Sequence, residues 1–332
     1  MPDTDLKLLL HEYELKRNNA ISQANKRKET IYNDNPRLQE IDTELSTFAI
    51  KTAKAILQTN NKALLKDLDT KSTLLKKEKL SILHFLGIDE TYFLPKYECA
   101  KCNDTGYITE NYTTTMCNCL KQRIFDIKYN KFNVYDIKND SFENFRTDIY
   151  SNEVNVQKYH FNVSPQDNIK NIQKIAKHFI DNFNDPTEKN LLFTGNTGLG
   201  KTFISHCIAN ELLKHNKTVL YQTAPIMLDT IIDCKMGKNS NFDILHHILT
   251  VDLLVIDDLG TEGINNMKFT ELFTVLNSRL LSQNNHITKT IISTNLSINN
   301  LAQMYGERIV SRLIGNYNIC AFFGEDLRRK NL

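Results

Sequence analysis

The stretch that decides the fold runs from Asn190 to Asn210 and reads NLLFTGNTGLGKTFISHCIAN. It opens on an apolar run typical of a buried strand and closes on a segment with helical character. Between them, Gly195–Thr202 fits G-x-x-x-x-G-K-[ST], the pattern of a phosphate-binding loop. Strand, loop and helix in that order are the context that this pattern requires. We therefore expect a nucleotide site and an α/β fold.

Each residue type in this loop has a physical task. The chain has 11 glycines in 332 residues, and three of them, Gly195, Gly198 and Gly200, lie in the loop. Because glycine tolerates backbone angles that other residues avoid, successive N–H groups can turn toward a phosphate, and the start of the following helix adds a positive dipole end. Lys201 is expected to reach the β- and γ-phosphates and Thr202 to ligate Mg²⁺. The predicted ATP site consists of Gly195, Asn196, Thr197, Gly198, Leu199, Gly200, Lys201 and Thr202.

The acidic half of this site is predicted further along the chain. The apolar run Leu253–Ile256 is followed directly by Asp257 and Asp258. A buried parallel strand that ends in two carboxylates places them at the sheet edge beside the phosphate-binding loop. Asp257 is then the expected Mg²⁺ partner, and Asp258 the carboxylate that polarises the attacking water. Asn295, which follows the next strand, is expected to contact the γ-phosphate or to orient that water.

Two arginines of a later segment are candidates for a role in phosphoryl transfer. Arg308 and Arg312 lie four residues apart and therefore on one face of a predicted helix. A guanidinium aimed at the γ-phosphate, often from a neighbouring subunit, strongly favours phosphoryl transfer. We predict that Arg312 is this arginine finger; Arg308 is the alternative, and surface pairing with Glu307 or solvent is the simpler interpretation. Arg328 and Arg329 indicate a basic tail, with a nucleotide sensor as the alternative.

Four of the seven cysteines form a compact cluster in the sequence. Cys99-x2-Cys102 and Cys117-x-Cys119 are separated by fourteen residues. In a chain without secretory features such a cluster is more often a metal site than a disulfide framework, and four thiolates complete a tetrahedral Zn²⁺ site. Unligated or redox-active thiols are the alternative. The other three cysteines are expected to be small buried apolar residues, and they are Cys207, Cys234 and Cys320.

Periodicity predicts the organisation of the whole chain. Residues 1–95 have apolar residues at helical spacing and no catalytic constellation, which indicates a helical partner-binding domain. Residues 96–122 are the predicted cysteine module, and residues 123–160 a linker. Within 161–332, short apolar runs alternate with helical stretches, the first of which starts at Ser164-Pro165. That alternation predicts a parallel sheet with helices on both faces, and no C-terminal lid domain follows it.

Composition excludes several other classes of protein. With 41% apolar and 24% charged residues the chain can bury real cores, so it is neither disordered nor fibrous. No uncharged apolar run of about 18 residues occurs, and the opening residues are too acidic for a signal peptide. We therefore expect a cytoplasmic protein without a membrane segment. A net charge of +2 decides nothing about nucleic acid.

These segments together resemble the AAA+ ATPases, and among them the bacterial replicative helicase loaders of the DnaI/DnaC type. The resemblance lies in LLFTGNTGLGKTFIS, VDLLVIDDLGTE, TIISTNLS and YGERIVSRLIGN, and in the CxxCxDTGY and CxCLKQ patterns of the cysteine segment. Asp258 stands where most AAA+ proteins carry Glu. This Asp258, the Leu259-Gly260 that follows it and the missing lid domain narrow the resemblance to the loaders and their transposition-helper relatives. Of these two, the N-terminal domain favours the loaders.

The resemblance implies an ATP-controlled protein that holds the hexameric replicative helicase through its N-terminal domain. The AAA+ domain would self-associate, contact single-stranded DNA and help to place the helicase ring. Asp258, Asn295 and Arg312 would be its catalytic residues, and the short Asp258 implies slow, switch-like hydrolysis. The segment SFENFRTDIY at residues 141–150 is a candidate for adenine contacts. Lys235, Lys238 and Lys268 lie where family members expose loops toward a pore, although scattered lysines usually mark a solvated face.

Two other functions remain open at this stage. One is a DNA-remodelling helper of the transposition type, whose partner would be a transposase on duplex DNA. The other is a generic phosphate-loop enzyme acting on a small substrate, for which the sequence shows no substrate pocket. Preference for single-stranded over duplex DNA separates the loader from the helper.

Overall fold

The computed structural model describes residues 2–58, 62–128, 140–237, 243–263, 265–281 and 286–328. These divide into two compact units, Met1–Cys117 and Asn118–Leu332. Among the described residues, no helix is both long and apolar enough to cross a membrane.

In the described part of the first unit, three α-helices are followed by a short 3₁₀ helix (Glu90–Phe93) and a hairpin. The helices are α1 (Pro2–Asp34), α2 (Pro36–Gln58) and α3 (Lys62–Phe85), and the hairpin consists of β1 (Tyr107–Glu110) and β2 (Thr113–Met116) in antiparallel pairing. The chain breaks between α1 and α2 at Asn35-Pro36, because proline restricts the residue before it and lacks the N–H of a helix interior. Arg27 of α1 donates to the carbonyl oxygens of Tyr92 at 3.1 Å and Leu94 at 2.9 Å, which fixes the segment after α3 on α1.

The second unit is an α/β layer structure. Its helices and strands are α4 (Asn118–Lys128), α5 (Val156–Tyr159), α6 (Pro165–Asp181), β3 (Asn190–Thr194), α7 (Lys201–Lys214), β4 (Val219–Thr223), α8 (Ala224–Lys235), α9 (Asp243–Thr250), β5 (Leu253–Leu259), α10 (Asn266–Leu281), β6 (Lys289–Thr294), α11 (Ile298–Tyr305), α12 (Glu307–Asn316) and β7 (Tyr317–Ala321).

The five strands β3–β7 form one parallel sheet in the order β4-β5-β6-β3-β7. Each strand buries alternate side chains in two apolar layers. Leu192, Leu254 and Ile292 belong to one layer, and Phe193 and Val255 to the other. The predicted parallel sheet with helices on both faces is therefore confirmed. The β3–α7 connection at the centre of this sheet is the phosphate-binding loop.

The start of α6 shows why local sequence predicted this region well. The Ser164 side chain accepts the N–H of Asp167 at 3.0 Å, and Pro165 occupies the first helical turn, where its missing N–H has no cost. The predicted helix start is confirmed.

The segment 123–160, expected to be a linker, makes core contacts where the structure describes it. Phe125 of α4 and Tyr150 are buried, and Phe145 packs partly buried against the same unit. Just before this segment, the Gln122 side chain donates to the carbonyl oxygen of Val219 at 3.0 Å and accepts its N–H at 2.7 Å, which holds α4 on β4. Residues 129–139 lie outside the described residues. The domain boundaries within this stretch stay a prediction.

Candidate nucleotide site and cysteine cluster

The phosphate-binding loop needs its glycines for two separate reasons. Gly195, Gly198 and Gly200 have φ angles of 139°, 75° and 90°, in the region that residues with a side chain rarely adopt. There is also no room for a side chain. A Cβ on Gly195 would lie 2.1 Å from the carbonyl oxygen of Phe322, and one on Gly200 would lie 2.6 Å from the Tyr150 hydroxyl. The cradle therefore fits a phosphate-binding backbone, and it tolerates no larger residue at these positions.

Lys201 is held at the centre of this cradle. Its Nζ donates to the carbonyl oxygens of Gly195 at 2.6 Å and Asn196 at 2.7 Å, and to Oδ1 of Asn295 at 2.8 Å. Burial lowers the pKa of this ammonium group, while the carboxylates of Asp258 and Asp257 oppose that effect. The structure thus brings the lysine and asparagine predicted from two distant segments into direct contact.

Asp257 is a buried carboxylate surrounded by hydroxyl donors. Its Oδ2 accepts from Tyr221 at 2.6 Å and from Thr202 at 3.2 Å, and its Oδ1 accepts from Ser293. Mg²⁺ with oxygen ligands at 2.0–2.1 Å holds neighbouring ligand oxygens about 3 Å apart. The Thr202–Asp257 pair therefore fits the Mg²⁺ ligands that the sequence predicts, and Tyr221 and Ser293 would orient the carboxylate from behind.

Asp258 has an unusual backbone inside a strand. Its φ angle is 55°, and the pairing of β5 with β6 shifts register between Ile256 and Leu259. Such a bulge turns a side chain away from the pleat and is common beside active sites. The side chain lines the cleft beside the phosphate-binding loop. Burial and the neighbouring charge of Asp257 raise the pKa of the Asp258 carboxyl, and Lys201 and Arg328 oppose them.

A cleft of about 580 Å³ extends from these residues. Its lining includes Phe145, Ile149 and Tyr150 of the segment 141–150, together with Phe203 and Leu327. The rings of Phe145 and Phe203 lie 5.4 Å apart, and the Tyr150 hydroxyl donates to the carbonyl oxygen of Leu199 at 3.0 Å. An aromatic and aliphatic wall next to a phosphate cradle suits a nucleobase. This segment is our proposal for the adenine end.

Sequence reasoning missed the pair formed by His206 and Asp140 in the same cleft. The Nδ1 atom of His206 lies 2.8 Å from the Asp140 carboxylate, and the histidine is almost fully buried. His206 follows Thr202 by one helical turn, so the phosphate-loop pattern places it toward the site, but nothing in the sequence identifies Asp140 as its partner.

The segment after β7 also lines this site. The N–H of Phe322 donates to the carbonyl oxygen of Thr194 at 2.7 Å, and the N–H of Leu327 donates to that of Gly198 at 3.0 Å. Arg328 consequently lies at the cleft, where its charge acts on Lys201 and Asp258. That placement favours the sensor interpretation of Arg328 over a basic tail. Arg329 lies outside the described residues.

Replacing Arg328 by alanine is expected to weaken ATP binding about tenfold and to change the pH dependence of hydrolysis. The arginine lowers the pKa of Asp258, so its loss raises that pKa further and moves the acid limb of kcat to higher pH. Steady-state ATPase assays over a pH series check both effects. Arg328→Lys is the control, because it keeps the positive charge and should leave the acidic side of the kcat–pH profile where it is. An unchanged profile in Arg328→Ala would contradict the role assigned to Arg328.

The two finger candidates lie away from the cleft of their own chain. Arg308 is exposed, whereas Arg312 is half-buried, with its guanidinium 4.3 Å above the Phe273 ring and its Nε donating to Asn277 at 3.1 Å. Neither belongs to the described residues that line the cleft. A role for either therefore requires a second chain, and the choice between them stays a prediction.

The lysines considered for a DNA-facing loop are engaged in ion pairs. Lys235 contacts Glu271 at 2.6 Å, and Lys268 contacts Asp229 at 2.7 Å, so both link α8 to α10. Lys238 lies outside the described residues. The paired lysines are thus less suited to phosphate contacts than the sequence alone suggests.

The four clustered cysteines come together in the structure. The sulfur atoms of Cys99, Cys102, Cys117 and Cys119 all lie within 4.8 Å of one another, and those of Cys99 and Cys117 are 3.9 Å apart. Four thiolates at about 2.3 Å from a tetrahedral zinc ion lie roughly 3.8 Å from each other, so the cluster fits Zn²⁺. Cys207, Cys234 and Cys320 are buried, as predicted.

A buried aspartate shapes the first half of this cluster. The carboxylate of Asp104 accepts the N–H of Glu98 at 3.0 Å and of Cys99 at 2.8 Å, while Asn103 and Asp104 both adopt positive φ angles. The Cys117 N–H donates to the carbonyl oxygen of Gly106 at 2.8 Å, which joins the two cysteine pairs. Asp104 was not singled out from the sequence, because its spacing alone does not distinguish it from a turn residue.

Comparison with known proteins places the nucleotide site in a family. The sequence model described as IstB-like ATP binding protein matches residues 141–331, more than half of the chain. A stretch of 153 residues is 26% identical to the replicative helicase loader DnaC of Buchnera aphidicola subsp. Schizaphis graminum, which is 45% of this chain and 60% of that protein. With DnaC of Escherichia coli strain K12 the identity is 25% over 158 residues, 47% of this chain and 62% of that protein. The chain thus spans about three fifths of the length of these curated relatives.

The comparison with solved structures also finds the crystal structure of the DnaC helicase loader. It superposes with a TM-score of 0.43 at 22% identity, over 57% of this chain and 99% of that one.

Proposed function

The chain belongs to the family of IstB-like ATP-binding proteins, and on that premise we propose that it is an ATP-hydrolysing loader of the replicative DNA helicase. In this proposal it acts in the cytoplasm, binds the helicase hexamer and helps to place it on single-stranded DNA. The observation that carries the proposal is the assembly of Lys201, Asp258 and Asn295 around one cleft, with Asp257 hydrogen-bonded to Thr202 of the same cleft. The separate helical unit and the similarity to DnaC loaders direct this ATPase toward a protein partner.

The residues of the cleft support slow hydrolysis used as a switch. ATP would supply the γ-phosphoryl group, with Mg²⁺ held by Thr202 and Asp257 to neutralise developing charge. Lys201 would exchange its contacts with the loop carbonyl oxygens for phosphate oxygens, which keeps the ammonium group satisfied in both states. The Asp258 carboxylate would accept a proton from the attacking water, and Asn295 would orient that water or the γ-phosphate.

The helical unit offers a defined surface for the partner. Leu74 and Phe85 of α3 are 62% and 88% exposed, and their separation of eleven residues places them on one face, three turns apart. Lys71 and Lys77 of the same face are exposed as well. Exposed large apolar side chains grouped on one face mark interaction sites, and the lysines favour an acidic rim on the partner. We name Lys71, Leu74, Lys77 and Phe85 the α3 face.

The variant Leu74→Ser/Phe85→Ser is expected to reduce helicase binding by about a hundredfold, because apolar anchors dominate such interfaces. Titration of the full chain against the cognate helicase measures the effect. Leu80→Ser is the matched control, since Leu80 is a 52% exposed leucine on another side of α3 and its loss should change affinity little. Equal binding by the double variant and the control would exclude the α3 face as the docking site.

The proposed function is tested by mixing the chain with the cognate replicative helicase, with and without ATP, and measuring the mass of the complex. A loader forms a stable complex and prefers single-stranded to duplex DNA, with an affinity that falls steeply with salt. No complex with the helicase, together with a preference for duplex DNA, would instead favour a helper of the transposition type.

A further inference from the structure

The Glu262 carboxylate is buried and has no part in the hydrolysis described above. It is 4% exposed, and among the described residues its partners are two neutral donors, the N–H of Gly260 at 2.9 Å and the Tyr305 hydroxyl. Withdrawing a carboxylate from water is costly, and an apolar side chain of similar size would stabilise the fold at least as well. A role beyond packing is therefore expected for this group.

One oxygen of Glu262 fixes the turn that follows Asp258. The accepted N–H belongs to Gly260, whose φ angle is 102°. Thr261 closes the same turn by donating its N–H at 3.2 Å and its hydroxyl at 2.8 Å to the carbonyl oxygen of Asp258. Because Asp258 has a left-handed backbone at the end of β5, the direction of its side chain depends on this turn.

The other oxygen of Glu262 fixes the start of the arginine-bearing helix. Tyr305 is the last residue of α11, and its ring packs edge-on against Phe269 with a centroid distance of 5.2 Å. Gly306, with a φ angle of 81°, is the single residue between α11 and α12. Both Arg308 and Arg312 lie on α12. Tyr305 therefore directly precedes Gly306, the turn residue that sets the direction of α12 and of its two arginines.

We infer that Glu262 and Tyr305 are a positioning pair that couples Asp258 in the cleft of one subunit to the arginines that the same subunit offers to its neighbour. This inference rests on the proposed function, in which copies of the chain associate and an arginine acts across the contact. A change at Asp258 on hydrolysis would then reach the next subunit through one buried carboxylate.

Subunit mixing separates this coupling from a local effect. The acceptor subunit carries Arg308→Ala and Arg312→Ala with an intact cleft, and the donor subunit carries Asp258→Asn with intact arginines. The mixture hydrolyses ATP only where a donor arginine meets an acceptor cleft. Adding Tyr305→Phe to the donor alone removes one hydroxyl and should lower the mixed rate about tenfold, although the donor itself has no active cleft.

Matched variants decide between coupling and general damage. Tyr317→Phe in the donor removes the hydroxyl of another tyrosine buried in the same apolar layer, and it should leave the mixed rate unchanged. Glu262→Gln in the donor subunit should reproduce the loss. The amide nitrogen of glutamine cannot accept a hydrogen bond, so one of the two groups that donate to Glu262 would lose its acceptor. A mixed rate unaffected by Tyr305→Phe in the donor, or affected only when the change is in the acceptor, would overturn the coupling.

Two further outcomes keep the inference distinct from the proposed function. If the donor and acceptor subunits do not restore hydrolysis even without a change at Tyr305, no arginine acts across the subunit contact. The proposed function then fails at that step. Amide hydrogen exchange then still tests the pair in the full chain, since Tyr305→Phe should accelerate exchange of the Gly260 N–H severalfold and Tyr317→Phe should not. Unchanged exchange would show that Tyr305 does not hold the turn.

Discussion

Asp258→Asn is expected to reduce ATP hydrolysis by a factor of about 10² to 10⁴ while leaving ATP binding intact. Asparagine matches aspartate in size and tolerates the left-handed backbone, for which φ is 55° here, so the bulge at the end of β5 should persist. What is lost is the carboxylate that we propose accepts a proton from water. The contacts of Lys201 with the loop and with Asn295 remain.

Two measurements check this expectation. Phosphate release gives the hydrolysis rate, and equilibrium titration with a fluorescent ATP analogue gives the affinity. Lys201→Ala is the comparison, because it removes the ammonium group of the cradle and should lose affinity as well as hydrolysis. Near-normal hydrolysis by Asp258→Asn would show that another group acts on the water.

The pH dependence of hydrolysis should carry the signature of the same residue. Burial and the charge of Asp257 raise the pKa of Asp258, and only the ionised carboxylate can accept a proton. The rate of the unmodified protein should therefore fall on acidification at a pH above the range of an ordinary aspartate. If the residual activity of Asp258→Asn keeps that acid limb, the limb belongs to a different group.

The centre of the site could be predicted because the features that define it are local or lie at one sheet edge. Gly195–Thr202 is a continuous pattern between a strand and a helix, so its conformation follows from its own sequence. Asp257 and Asn295 are far from it in sequence, yet Asp257 lies near the carboxyl end of β5 and Asn295 directly follows β6, and the carboxyl ends of parallel strands meet at the same edge. Pattern and topology together therefore suffice for these residues.

The contacts at the periphery of the site could not be predicted, because they depend on long-range packing, although the segment 141–150 and Arg328 were already candidates for nucleotide contacts. Tyr150 reaches the loop from a segment that precedes α6, and Arg328 reaches it only because Phe322 and Leu327 pair with the loop backbone. The hydrogen bond between Glu262 and Tyr305 joins two turns 43 residues apart. No periodicity in the sequence encodes such contacts, and the left-handed backbone of Asp258 follows from the bulge rather than from the strand pattern.

We propose that the four cysteines hold zinc, and its removal is expected to unfold the cysteine hairpin, because this segment lacks a core of its own. Neither β1 nor β2 contains a buried residue, so the pairing of Tyr107–Glu110 with Thr113–Met116 has little apolar support. Metal binding contributes about 10–16 kcal/mol in small zinc modules, far more than a two-stranded hairpin can supply. The variant Cys99→Ser, or treatment with a chelator, should therefore remove the amide exchange protection of residues 107–116.

The same experiment distinguishes zinc from unligated thiols. The full chain should contain one zinc ion by elemental analysis, Cys99→Ser should contain much less, and Cys207→Ala should retain it, since Cys207 is buried in the second unit. Acidification should release the metal, because thiolates must be deprotonated to bind it. A hairpin that stays protected in a metal-free chain would show that Asp104 and the backbone contacts of Cys99 and Cys117 suffice to hold the knuckle, and the thiols would then be free for another role.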